Sequence, residues 1–180
     1  MRKVSLAVAG LALLATAPVA AQEMDEGGFK FGVNAGATLP MGDLGDAVKT
    51  GWGGGVTLMM RGPGSKVGWG IDAQFHRLAY EEILGVDPNA TLNAYGAMAR
   101  LEFTAGNALY VLGGAGLFRR EVTSDDDGPD LGETNNTDFA VQGGLGFNFG
   151  PGLYLEGKFV NIFTEGSNTQ MIPLTVGIRF

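Results

Sequence analysis

The stretch "PLTVGIRF", Pro173 to Phe180, ends the sequence and sets the terms for reading the rest of it. Leu174, Val176, Ile178 and Phe180 alternate with Thr175, Gly177 and Arg179. A period of two marks a strand with one apolar and one polar face. Domains more often trail off in a few loose polar residues, whereas this pattern runs up to a terminal aromatic. The question is what such a strand pairs with.

Working outward, the same pattern recurs upstream and predicts eight strands. They cover Phe29–Leu39, Trp52–Arg61, Val67–Leu78, Thr91–Thr104, Ala108–Arg120, Thr137–Phe149, Leu153–Phe163 and Met171–Phe180. Each is about 10 to 14 residues, longer than the usual strand of about 5–6 and near the 9–11 or so that cross a bilayer at a tilt. The connections alternate. "GPGSK", "AGN" and "GPG" are short and mostly Gly/Pro-centred, as tight reversals require. "PMGDLGDAVKTG", "AYEEILGVDPNA" and "EVTSDDDGPDLGETNN" are long, and "TEGSNTQ" is intermediate. Tight turns at one end and long loops at the other describe an up-and-down transmembrane barrel. An even strand number places both termini at the short-turn, periplasmic end.

Composition narrows the class. Glycine fills 31 of 180 positions, well over twice its ordinary share of about 7%. Charged residues make up 17%, and the mean hydropathy is only +0.12. With no cysteine, disulfides, thiolate metal sites and cysteine nucleophiles are excluded. "MRKVSLAVAGLALLATAPVAAQE" has Arg2 and Lys3, a Leu/Ala/Val core, Pro18 and a small-residue site before Gln22. It reads as a secretory signal peptide over residues 1–21, leaving 22–180 as one exported barrel domain. Without Arg2 and Lys3 the chain keeps 10 basic and 19 acidic residues, a net charge of −9. That balance argues against a nucleic-acid partner. No later stretch has the roughly 18 consecutive apolar residues of a membrane helix, so any crossing is made by strands.

Parity assigns the faces. Val67, Trp69, Ile71, Ala73 and Phe75 oppose Gly68, Gly70, Asp72, Gln74 and His76. Tyr95, Ala97, Ala99, Leu101 and Phe103 oppose Gly96, Met98, Arg100, Glu102 and Thr104. Phe139, Val141, Leu145, Phe147 and Phe149 oppose Asp138, Gln142, Gly144, Gly146 and Asn148, while Leu153, Leu155 and Phe159 oppose Glu156 and Lys158. The fifth strand, with its Gly-Gly-Ala-Gly centre, does not declare its parity. A soluble barrel of lipocalin type would show the same alternation with inside and outside exchanged. Glycines on the polar face favour apolar-outward, since a narrow interior needs small residues. So do two aromatic belts: Phe29, Trp69, Phe103, Phe149 and Phe180 at the short-turn end, and Trp52, Tyr95, Phe118, Phe139 and Phe163 at the loop end.

Over residues 22–180 the sequence resembles the small eight-stranded outer-membrane barrels of the OmpA/OmpX type, the outer membrane protein beta-barrel domain group. Leu174, Val176, Ile178 and Phe180 match that family's C-terminal signature. By resemblance they are the signal read by the barrel-assembly machinery. "LPMGDLGDAVKTGWGGG", Leu39 to Gly55, is similar to the family's first loop and second strand. The resemblance implies an all-β, antiparallel, monomeric barrel in the bacterial outer membrane, in contact with outer-membrane lipid and lipopolysaccharide. Unlike in full-length OmpA proteins, no peptidoglycan-binding domain is expected after Phe180.

The candidate site is the lumen. Lys30, Asp72, Gln74, His76, Arg100, Glu102, Glu156, Lys158 and Arg179 all fall on the polar face. An eight-stranded barrel is about wide enough for its own side chains to fill. Charges buried there must pair. The expectation is a polar network that plugs the lumen, with a narrow gated channel as the alternative. His76, the only histidine, is the one residue that invites catalysis. The His-x-Ser motif of lipid A deacylases fails, since Arg77 and Leu78 follow it. The lipid A palmitoyltransferases draw a His, an Asp and a Ser from the loop end. Ser65, Ser124 and Ser167 have no base near them in sequence. Asp125, Asp126, Asp127 and Asp130, with Glu133, form an acidic loop lacking the spacing of an EF-hand, a candidate weak cation site at most. Arg119 and Arg120 at the top of strand five are candidates for lipopolysaccharide phosphates. "NNT", Asn135 to Thr137, matches a glycosylation sequon without meaning in a bacterial barrel. No cofactor is expected, and a structural or surface-contact role is favoured over an enzyme.

Overall fold

The computed structural model describes residues 28–81, 90–106, 108–124, 136–164, 166 and 168–180. Eight strands follow one another: β1 (Gly28–Met41), β2 (Gly51–Arg61), β3 (Val67–Ala79), β4 (Ala90–Ala105), β5 (Leu109–Ser124), β6 (Asn136–Asn148), β7 (Leu153–Phe163) and β8 (Asn168–Arg179). Each pairs antiparallel with the next, and β8 pairs with β1, so the sheet closes into a barrel. Closure satisfies every strand edge, the one way strands can cross hydrocarbon. The seam runs from Gly32 opposite Arg179 to Met41 opposite Gln170. Beyond it, Phe31 and Phe180 exchange both backbone hydrogen bonds, at 3.2 and 2.8 Å. Their rings stack 6.5 Å apart.

The strands agree with the alternation pattern to within a few residues at their ends. The largest difference is β5, which continues past Arg120 to Ser124 because its partner β4 holds register from Ala105–Leu109 to Ala90–Ser124. Gly106 (φ 79°) and Gly152 (φ 81°) make the tight reversals, in the left-handed region that a side chain disfavours.

Apolar residues face outward. Leu101 is 61% exposed and Trp52 and Trp69 are each 57% exposed, while Asp72, Arg100 and Glu156 are fully buried. That inverts the soluble arrangement and fits a barrel whose solvent is lipid. Strand five declares itself too: Leu109, Val111 and Leu117 are exposed, and Tyr110, Leu112 and Phe118 are buried. Phe118 therefore leaves the loop-end belt. One residue after outward Leu117, it must point inward, and its small Gly/Ala neighbours had hidden that parity. Arg120 turns inward by the same count.

The connection between β1 and β2 closes the loop end on one side. Val48 bridges Tyr80, and backbone bonds join Lys49 to Ala79 and Glu81 to Ala47. Val48 thereby packs on Leu78 and Leu92, with Leu44, Ala47, Tyr80 and Val122 around them.

Candidate functional site

The lumen is filled in layers. Nearest the short turns, Glu102 on β4 accepts from Arg61 at 2.8 Å and from Arg179 at 3.1 and 2.8 Å. Lys30 stands in the field of Arg61, Arg179 and Glu102. Next comes a fork: Arg100 on β4 donates to Glu156 on β7 through both terminal nitrogens, one of them at 3.1 Å. Arg100 also reaches Glu102 at 3.0 Å and lies 3.5 Å from Asp72. Lys158 bridges Asp72 at 3.2 Å and Glu156 at 3.7 Å. Asp72 thus ties β3 to β4 and β7, and Glu156 ties β7 to β4 and β8.

Two tyrosines frame these charges. Tyr110 donates to Glu156 at 2.8 Å. The Arg179 guanidinium sits over the Tyr110 and Tyr154 rings at 4.8 and 4.6 Å, within cation–π range. Each ring lies across a glycine on the adjacent strand. Tyr110 is paired with Gly146 and Tyr154 with Gly177. A Cβ at either glycine would fall on the ring. The glycines of the polar face are thus the space that the large lumenal side chains occupy.

Above the charges, Gln74 donates to Asp72 at 2.9 Å and to Gln142 at 2.7 Å. His76 lies between Gln74 Oε1 (3.2 Å) and Thr38 Oγ1 (2.9 Å), stacked on Phe118 at 6.2 Å. Gln74 Oε1 can only accept, so His76 Nε2 donates to it, while Nδ1 pairs with the Thr38 hydroxyl. Both ring nitrogens are thereby engaged. Thr38 and His76 are 0% and 1% exposed. The hydroxyl beside the imidazole therefore has no open face for a substrate. Ser65 is at the opposite end, bonded to Val67 within its own turn.

The nine lumen candidates thus all face the interior, and eight of them join in one set of ion pairs and hydrogen bonds, with Lys30 at its edge. Sequence reasoning missed the layer above them. Ala94, Met98, Phe118, Ala140, Val160, Ile162 and Met171 form a buried apolar cluster contributed by β4 to β8. Thr38, Gly53 and His76 complete the same ring from β1 to β3. No room is left at Gly53, whose Cβ would collide with the His76 imidazole. The signal was present in "FVNIF", Phe159 to Phe163, where Val160 and Ile162 put apolar side chains on the face that Glu156 and Lys158 make polar. Arg120 lies on the loop side of this layer and pairs with Asp138 at 2.8 Å and Thr169 at 3.0 Å. Asp125, Asp126, Asp127 and Asp130 lie outside the described residues. Among the described residues no group of His, Asp or Glu is placed to hold a metal ion.

A closed eight-stranded barrel with lipid-facing apolar strands, short turns at one end and a polar interior is an integral outer-membrane protein. The comparisons agree. Residues 7–180 match the outer membrane protein beta-barrel domain family, and the chain belongs to that family. Its fold is similar to the N-terminal β-barrel domain of Pseudomonas aeruginosa OprF, with a TM-score of 0.59 and 15% identity over 86% of this chain and 100% of that one. It is also similar to Ail of Yersinia pestis (TM-score 0.55, 20% identity, 86% of this chain and 99% of that one). Neisserial surface protein A is a third similar structure (TM-score 0.52, 17% identity, 84% and 95%). At these identities the likeness is one of fold. No curated protein sequence matches the chain.

Proposed function

We propose that this protein is a sealed, non-conducting barrel whose work lies in the envelope and at the cell surface, as a structural or contact element. The observation that carries this reading is the apolar ring across the loop-side half of the lumen. Its apolar side chains come from β4 to β8, and Phe118, Val160, Ile162 and Met171 are each 0% exposed. A polar network alone could rearrange to pass hydrated ions. The packed side chains of β4 to β8 offer an ion no ligands, Thr38 and His76 opposite them are already bonded to each other, and desolvating a charge is very costly. The same packing counts against the lipid-modifying alternative, since the lone histidine is enclosed within it. In this reading residues 1–21 direct export, the terminal Leu174, Val176, Ile178 and Phe180 serve assembly, and the mature barrel is a monomer in lipopolysaccharide-rich membrane. Ail, a similar barrel, has been solved in complex with the heparin analogue sucrose octasulfate.

The test is conductance in planar bilayers. The refolded protein should give no discrete openings above the lipid baseline. Regular single-channel steps would favour the gated-channel reading instead.

A further inference from the structure

The distribution of cations points to a site on the outside of the barrel. Arg2 and Lys3 lie outside the described residues; of the other ten cations, six turn into the lumen or its mouth, namely Lys30, Arg61, Arg100, Arg120, Lys158 and Arg179. Lys66 is in a short turn. The remaining three, Lys49, Arg77 and Arg119, are all exposed, all at the loop end, and all on the sector from β2 to β5. The outer face of β6, β7, β8 and β1 carries none. In a chain with such an acidic balance, three outward cations gathered on one sector require a reason.

Their height supplies it. Arg77 is two residues loopward of lipid-facing Phe75 and is paired with Trp52, whose indole lies 5.5 Å from the Phe75 ring. Arg119 is two residues loopward of Leu117 and is paired with Tyr95. Lys49 bonds Ala79 on the face that Arg77 shares. Arg77 and Arg119 therefore stand level with the outer aromatic belt and Lys49 just beyond it, where hydrocarbon gives way to headgroups. Between them β4 presents Asn93, bonded to Thr123 at 3.3 Å. Exposed Glu81 lies farther loopward, as does Glu121, which accepts from Tyr95 at 3.5 Å. From strand spacing and rise, Arg77 and Arg119 are about 12 Å apart at Cα, wide enough to engage two phosphates at once.

We propose that Lys49, Arg77 and Arg119 form a docking row for the phosphorylated glucosamine headgroup of an outer-leaflet lipopolysaccharide, with the arginines on phosphate and the exposed Trp52 against the sugar. Guanidinium–phosphate pairs are short, charge-assisted and often bidentate. At a membrane surface they are screened less than in bulk water. The inference depends on the outer-membrane placement and not on whether the lumen conducts.

The experiment titrates bisphosphoryl lipid A, its dephosphorylated form and phosphatidylglycerol into barrel refolded in zwitterionic bilayers. Bound lipid is counted by native mass spectrometry. The heat-modifiable gel shift is followed in parallel, and unboiled migration shows that each variant is folded. The wild type should bind the bisphosphoryl lipid and unfold at higher temperature with it. The combined Lys49→Gln, Arg77→Gln and Arg119→Gln variant should lose about tenfold or more in affinity, with Lys66→Gln unchanged. Should the combined variant fail to fold, Arg77→Gln alone carries the comparison. Equal binding of dephosphorylated lipid A or phosphatidylglycerol, or no loss on removing the row, would overturn the proposal.

Discussion

Arg100 on β4 and Glu156 on β7 meet across the middle of the lumen, both at 0% side-chain exposure, in a two-pronged pair. The other charges in the short-turn half of the lumen are arranged about it. Counted formally, Lys30, Arg61, Arg100, Lys158 and Arg179 face Asp72, Glu102 and Glu156, so the lumen holds an excess of positive charge. Carboxylates are the scarce partner, and that decides which substitutions hurt.

Replacing Glu156 with Gln should be costly. It leaves Arg100, Lys158 and Arg179 short of an anion, and breaking a buried pair costs about 3–5 kcal/mol. Arg61→Gln should cost no more than about 1 kcal/mol, because Arg61 is partly exposed and Glu102 keeps two other arginines. Urea unfolding of both variants in lipid bilayers checks the ordering. Equal losses would mean that the pairs are not a scarce-anion network.

Opening the apolar ring should create a pore. Phe118→Ala combined with Met171→Ala removes two large side chains from a layer that lies directly above the polar network. Discrete bilayer conductance is expected, and it should favour anions because of the cation excess below. A reversal potential in a salt gradient gives the sign. A silent double variant would place the barrier elsewhere in the lumen.

The glycine–tyrosine pairs predict a contrast between two small changes. Gly177→Ala puts a methyl onto the Tyr154 ring, while Gly143→Ala meets nothing within 4 Å on the lipid face. The first should lower refolding yield, read as the unboiled gel band, and the second should leave it unchanged. Tyr154→Ala in the Gly177→Ala background should restore part of the yield by returning the space.

Phe180→Ala separates two roles of the terminal residue. The backbone bonds to Phe31 survive the substitution, and only the ring stack is lost. Refolding of purified chain into detergent should change little. If the side chain is the assembly signal, the amount of barrel in cell outer membranes should fall severalfold. Parallel losses in both assays would assign Phe180 to stability alone.

The sequence by itself determined the strand count, the alternation of loop lengths and, outside strand five, which residues face lipid. These follow from local rules: a period of two, turn chemistry and the bilayer's thickness. It also placed Lys30, Asp72, Gln74, His76, Arg100, Glu102, Glu156, Lys158 and Arg179 on the inner face, because parity alone sets the side of a strand. Parity says nothing about which strands face each other across the interior. That Arg100 takes Glu156, that His76 rests between Thr38 and Gln74, and that Phe118 joins Val160, Ile162 and Met171 in one ring depend on the register and stagger of all eight strands. Strand five shows the limit most clearly. Its small central residues gave no alternation to read, and only pairing with β4 and β6 turned Phe118 and Arg120 inward. The outward row of Lys49, Arg77 and Arg119 emerged for the same reason. Residues scattered over 71 positions of sequence become one sector only when closure of the barrel sets the neighbouring strands side by side.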